Sequence, residues 1–121
     1  MTEVELESQH PILFIYDVEN RDMVIPPYQA GELVAHNDTC VSVGTRILAQ
    51  GPTLVRLAQS AMAPIGQLVF SGTIRAPSRS VGVNTSESEG LLSIETRDDV
   101  ARIRVWADDS REPSIVTIEV K

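Results

Sequence analysis

The chain has 121 residues, 42% of them hydrophobic, and 17 acidic against 10 basic side chains leave a formal net charge of −7. That length fits one domain, 1–121, around one hydrophobic core, and the acid excess argues against direct nucleic-acid binding, which calls for a basic footprint. No run reaches the ~18 apolar residues of a membrane span, no secretory signal opens the chain, and Cys40 alone builds no disulfide framework, so a cytoplasmic protein with no membrane association is expected.

Period-2 alternation dominates from the start. "EVELE" (3–7) alternates Glu3, Glu5 and Glu7 with Val4 and Leu6, as an edge strand does. "ILFIYDV" (12–18) is apolar on both faces, the pattern of a strand in the middle of a sheet. The connection 19–32, "ENRDMVIPPYQAGE", is long, and Pro26-Pro27 excludes regular structure there. Tyr28, beside those prolines, is a candidate interface anchor; the competing role is packing the loop onto the end of the domain.

"CVSVGTRIL" (40–48) places Val41, Val43, Thr45 and Ile47 on one side. "GPTLVRLAQSAMAP" (51–64) carries helical spacing in Leu54, Leu57, Ala58 and Ala61, but alternates as a strand over 53–58; the strand is preferred there, followed by a loop. "QLVFSGTIRA" (67–76) places Leu68, Phe70, Gly72 and Ile74 together, and "SVGVNT" (80–85), "LLSIET" (91–96), "ARIRVWAD" (101–108) and "SIVTIEV" (114–120) continue the alternation. Turn residues punctuate these runs every 8–14 residues or so, which predicts an all-β fold: an antiparallel β-sandwich of about eight strands, Greek-key-like.

Chemistry-bearing motifs are absent. There is no G-x-S-x-G, no glycine-rich phosphate loop and no H-E-x-x-H. His36, Asp38 and Cys40 stand at i, i+2 and i+4, one face of a strand, yet a closed zinc site needs a fourth ligand and only His10 remains. Asp98-Asp99 and Asp108-Asp109 lack the ligand order of a calcium loop and read as turn acids. No catalytic residue, metal or cofactor is expected, and the chain is not expected to be an enzyme. In "RIRVWADDS" (102–110), Ile103, Val105 and Ala107 belong to the core face. Arg102, Arg104 and Trp106 then face outward, where arginines pair with acids on neighbouring strands and Trp106 stacks under a guanidinium.

Taken together, "ILFIYDV", the Pro-containing linker, "GELVAHNDTCVSVGTRILAQGPTLVRL", "GQLVFSGTIRAP", "GLLSIET" and "ARIRVWADD" resemble in layout the competence protein J family, the competence-nuclease inhibitors. The resemblance spans roughly residues 12–110. It implies a small acidic β-sandwich that binds and silences a basic nuclease, and it carries no functional residue over. Carboxylates that fill a cationic cleft suit such a role. The candidate partner-binding residues are Asp17, Glu19 and Asp22 after the first buried strand, Tyr28 and Trp106 as aromatic anchors, and Asp108, Asp109 and Glu112 after "ARIRVWA". The two acid groups share one end of the sandwich only if their strands run the same way. The alternative is a non-catalytic sandwich that binds a small ligand or carbohydrate, with Tyr28 or Trp106 as the platform. Association into a homodimer is left open.

Overall fold

The computed structural model describes residues 2–7, 9–27, 31–60, 63–87 and 90–121. Ten strands account for the alternating runs. They are β1 (Thr2–Leu6), β2 (Ile12–Asp17), β3 (Val34–His36), β4 (Cys40–Gly44), β5 (Thr53–Ala58), β6 (Gln67–Arg75), β7 (Ser80–Asn84), β8 (Leu92–Glu95), β9 (Val100–Ala107) and β10 (Ile115–Val120). They form two five-stranded sheets. Sheet A has the order β1-β5-β10-β9-β6 and sheet B the order β3-β4-β2-β7-β8. All neighbours are antiparallel except β5 and β10, which run parallel with Val116 opposite Val55 and Ile118 opposite Leu57.

The inner faces follow the period-2 pattern. Val55, Leu57, Ile103, Val105, Val116 and Ile118 from sheet A meet Leu13, Ile15, Val41, Val43, Val81 and Val83 from sheet B in one cluster, all of them fully or almost fully buried. Each such side chain contributes about 1.5–3 kcal/mol relative to an exposed one. The twice-apolar "ILFIYD" is the middle strand of sheet B, and the Glu-alternating β1 is an edge of sheet A. No helix among the described residues is long and apolar enough to cross a membrane.

The structure departs from the sequence reading in three places and settles one alternative. β3 is a tenth strand, only three residues long and therefore without a readable period. The strand expected over 40–48 stops at Gly44, because Gly44 N–H turns to Leu33 O (2.8 Å) and Thr45 N–H to Pro11 O (2.8 Å); Ile47 is left exposed. Of the two readings of 51–64, the preferred strand over 53–58 is the one formed, as β5, whose Thr53, Val55 and Leu57 are buried between β1 and β10. A bulge between Leu68 and Phe70 breaks the expected alternation of β6. Phe70 stays opposite the inward-facing Val105, while Leu68 lies opposite Trp106 and is 50% exposed.

Strand direction defines two ends. At one, β2 finishes: Asp17 reaches Ser78, Arg75 N–H donates to Asp38 O (2.7 Å), and Ala76 N–H donates to Asp99 O (2.7 Å) just before β9 begins. At the other, β9 finishes at Ala107 and β2 begins, with the 109–112 loop facing Pro11 and Ile12 across a cleft.

Candidate functional site

β2 and β9 run in opposite directions, so the two predicted acid groups lie at opposite ends of the sandwich. β9 alone spans eight residues, which separates the ends by more than ~20 Å. The expectation that one surface gathers both groups is conditional on parallel strands, and that condition is not met.

Asp17 is the member of the first group that the structure removes from any docking surface. It is 2% exposed. Its carboxylate accepts from Glu19 N–H (2.8 Å), Ser78 N–H (2.8 Å) and Ser78 Oγ–H (2.5 Å), which ties the end of β2 to the turn between β6 and β7. Burial works to raise its pKa, but the Ser78 hydroxyl and the Ser78 and Glu19 amides outweigh it and hold the carboxyl below its ordinary value. Glu19 and Asp22 are exposed on the following connection, near Arg75 and Asp38. Tyr28 lies outside the described residues.

The second group is assembled as one unit. Asp108 accepts from Ser114 N–H (2.8 Å), from Ile115 N–H (3.1 Å) and from the Ser114 hydroxyl, closing the β9–β10 loop on itself. Asp109 accepts from Glu112 N–H (2.7 Å) and Arg111 N–H (3.1 Å) in an Asx turn. The loop is anchored from behind. Thr53 Oγ1–H donates to Pro113 O (2.9 Å), Arg46 N–H donates to Thr53 Oγ1 (2.9 Å), and Leu54 N–H donates to Ser114 O (2.8 Å). For Asp108, partial burial pushes the pKa up while the Ser114 hydroxyl and the amides of Ile115 and Ser114 bring it below the ordinary value. For Asp109, the amides of Glu112 and Arg111 do so. Both carboxylates are therefore charged and fixed in direction, and a carboxylate with room for about four donors keeps acceptor capacity for a donor from outside.

Asp109 and Glu112 line one wall of an open cleft of about 790 Å³. The opposite wall holds Pro11, Ile12, Leu33 and Ala35, with Glu32 beside them. Arg111 lines the cleft too, so its rim carries three carboxylates against one guanidinium; that excess beside an apolar floor suits a long basic side chain, whose methylene stem packs on carbon while its head meets the carboxylates. Glu32 was missed in the sequence because it sits in the irregular linker, where no period assigns it a neighbour.

Trp106 stands on the outer face of sheet A at the same end, half-buried, opposite the exposed Leu68 on β6. Arg104 lies over its ring at 5.1 Å, and the guanidinium is itself held by the buried Glu119 through Nε (2.8 Å) and Nη2 (2.7 Å). The predicted stacking of Trp106 under an arginine, and the pairing of that arginine with an acid on the next strand, are both present. Because a guanidinium already covers one face, the ring is not a free stacking platform on that face.

The i, i+2, i+4 set of His36, Asp38 and Cys40 does not converge. Residues 37–40 form the β3–β4 turn, with Asn37 Oδ1 accepting from Thr39 N–H (2.9 Å) and Cys40 N–H (2.9 Å). His36 is exposed and its ring meets Phe70 at 5.0 Å. Cys40 is fully buried, and burial pushes its thiol up to about 12.

No protein-family model matches the chain, and no curated protein matches it in sequence. A search of solved structures finds ComJ from Bacillus subtilis, described as an inhibitor of the DNA-degrading activity of NucA. The likeness has a TM-score of 0.67 at 11% sequence identity and covers 99% of this chain and 94% of ComJ. At that identity the likeness is one of fold, and the fold is ComJ-like.

Proposed function

From a ComJ-like sandwich as the premise, we propose that this chain is a non-catalytic inhibitor that binds a basic protein, a nuclease, and blocks its cationic cleft. The carrying observation is end-to-end similarity to a solved nuclease inhibitor. The docking end is the β9–β10 loop with its cleft: Asp108, Asp109 and Glu112 with Glu32, flanked by Trp106 and Leu68. The physical support is preorganisation. Asp108 and Asp109 are oriented and ionised before any partner arrives, so binding loses little side-chain freedom there. The chain acts in the cytoplasm and reaches its partner by electrostatic attraction, given a charge of −7. Glu19 and Asp22, at the far end, add to the long-range field without touching the partner.

The test is inhibition of DNA cleavage by the basic nuclease of the source organism, measured with the wild-type chain and with Asp109→Lys/Glu112→Lys. The wild type suppresses cleavage, and the double variant loses most of that suppression while remaining folded by circular dichroism. Full inhibition by the double variant places the docking surface elsewhere. No inhibition by the wild type of any basic nuclease from that organism removes the proposal.

A further inference from the structure

We propose that Thr53 is a positioning residue for the docking end: its buried hydroxyl ties the acid-bearing β9–β10 loop to the opposite wall of the cleft and so fixes where Asp109 and Glu112 stand. This role rests on the inhibitor reading and names the residue that presets its site. It starts from a polar group in an apolar place. Thr53 shares the inner face of β5 with Val55 and Leu57 and is 0% exposed. The alternation there suits a valine, and a hydroxyl buried without partners is costly.

The hydroxyl has one proton to give and lone pairs to accept with, and it uses both functions. Oγ1–H donates to Pro113 O (2.9 Å), and Oγ1 accepts from Arg46 N–H (2.9 Å). Pro113 has no N–H, so its carbonyl is the one backbone polar group by which it can be held. Arg46 is the last of three successive residues leaving β4 whose amides each fasten a different segment. Gly44 N–H donates to Leu33 O (2.8 Å), Thr45 N–H donates to Pro11 O (2.8 Å), and Arg46 N–H takes Thr53. Leu33 and Pro11 belong to the apolar wall of the cleft, and Asp109 and Glu112 to the acidic one. Through a single hydroxyl, the segment 44–46 therefore holds both walls.

Shape and placement of the loop are set separately. The bonds of Asp108 and Asp109 run to residues two to seven positions on, 111 to 115, so they fold the loop without locating it. Thr53 lies 60 residues from Pro113 and locates it, with Leu54 N–H to Ser114 O (2.8 Å) as a second tie from the same strand. A basic side chain whose stem lies on Pro11 and Leu33 meets the carboxylates only if the two walls keep this spacing, which is fixed before binding and so costs little on binding.

Thr53→Val keeps the shape of the side chain and removes both bonds, whereas Thr53→Ser keeps the bonds. Both variants are measured by residue-resolved amide exchange in NMR and by inhibition of the basic nuclease of the source organism. In Thr53→Val the Glu112 and Ser114 amides exchange about tenfold or more faster while those of β2 and β7 keep wild-type rates, and inhibition weakens about tenfold. Thr53→Ser restores both. In an Asp109→Asn/Glu112→Gln background the effect of Thr53→Val on inhibition shrinks, because the groups it positions are gone; a general loss of structure carries over in full. If Thr53→Val does not fold, the wild type decides: nuclease binding slows exchange of the Arg46 amide, which points at Thr53, together with those of Glu112 and Ser114. The role is overturned by unchanged loop exchange in Thr53→Val, by faster exchange in β2 and β7 as well, by an undiminished effect in the Asp109/Glu112 background, or by an Arg46 amide that binding leaves unaltered. A wild type that inhibits no basic nuclease removes the inhibitor reading and this role with it, whereas equal inhibition by wild type and Thr53→Val removes this role alone.

Discussion

Asp17 and Asp108 carry the same chemistry to different purposes. Each follows or ends a strand, each binds a serine hydroxyl and backbone amides, and each has its pKa held below the ordinary 3.8. Asp17 is buried and structural, whereas Asp108 remains exposed on a loop. The serine partners explain why the sequence could not separate them: Ser78 lies 61 residues from Asp17, while Ser114 is only six from Asp108. Asp17→Ala strands the donors of Ser78 and Glu19 and lowers unfolding free energy by about 2–3 kcal/mol in urea titrations. The pH dependence has a definite sign. A carboxyl held below its unfolded value stabilises the native state fully above that value and loses the effect as pH falls through it. Stability of the wild type therefore drops below about pH 4, and Asp17→Ala shows a shallower drop over that range. Gly66 is a second residue-scale constraint. Its φ is +95°, and an added Cβ would come within 2.0 Å of Ala107 O. Gly66→Ala destabilises by at least ~2 kcal/mol, read as a lower denaturant midpoint.

At the scale of elements, the sequence was legible where a strand has one wet face or two dry ones. β1, β2, β9 and β10 satisfy that condition. For β1 and β2 the place in the sheet also follows: the Glu-alternating run is an edge of sheet A, and the twice-apolar "ILFIYD" is the middle of sheet B. The failures are local. A bulge inserts one residue into β6 and turns Leu68 outward, and no hydrophobic pattern encodes that extra residue. β5 is no failure: Leu and Ala suit either state, yet the alternation over 53–58 favoured the strand, and β1 and β10 supply ladders on both sides of it. Leu57→Ala, which empties an inner position of β5, lowers stability by about 2–5 kcal/mol. Leu54→Ala, on the half-buried outer face of the same strand, lowers it by less than half as much. Comparable losses in the two variants, measured by the same unfolding titration, would contradict this assignment of faces. The candidate site was half legible for a similar reason. The acids of 108–112 are neighbours in sequence and stay together, but their distance from Asp17, Glu19 and Asp22 depends on strand direction, which composition does not encode.

At the scale of the whole molecule, the distribution of charge matters more than its sum. Arg56 pairs with Glu3 (3.5 Å) and Arg104 with Glu119, whereas Glu19, Asp22, Asp108 and Glu112 close no ion pair with a described residue. Exposed, unpaired carboxylates act at long range and are screened by salt. If the proposed inhibitor role holds, association with a basic nuclease slows about tenfold or more as ionic strength rises from low salt to ~0.5 M, while dissociation changes less. Stopped-flow association rates at several salt concentrations check this, and a flat dependence counts against electrostatic capture. The placement of β10 has an effect on biogenesis. It lies in the middle of sheet A, between β5 and β9, yet it is synthesised after the other nine strands. Until it leaves the ribosome, β1-β5 and β9-β6 are two unjoined hairpin-like halves, each with a bare apolar flank. The nascent chain must stay soluble through that interval, and the acid excess of the chain works against its clumping.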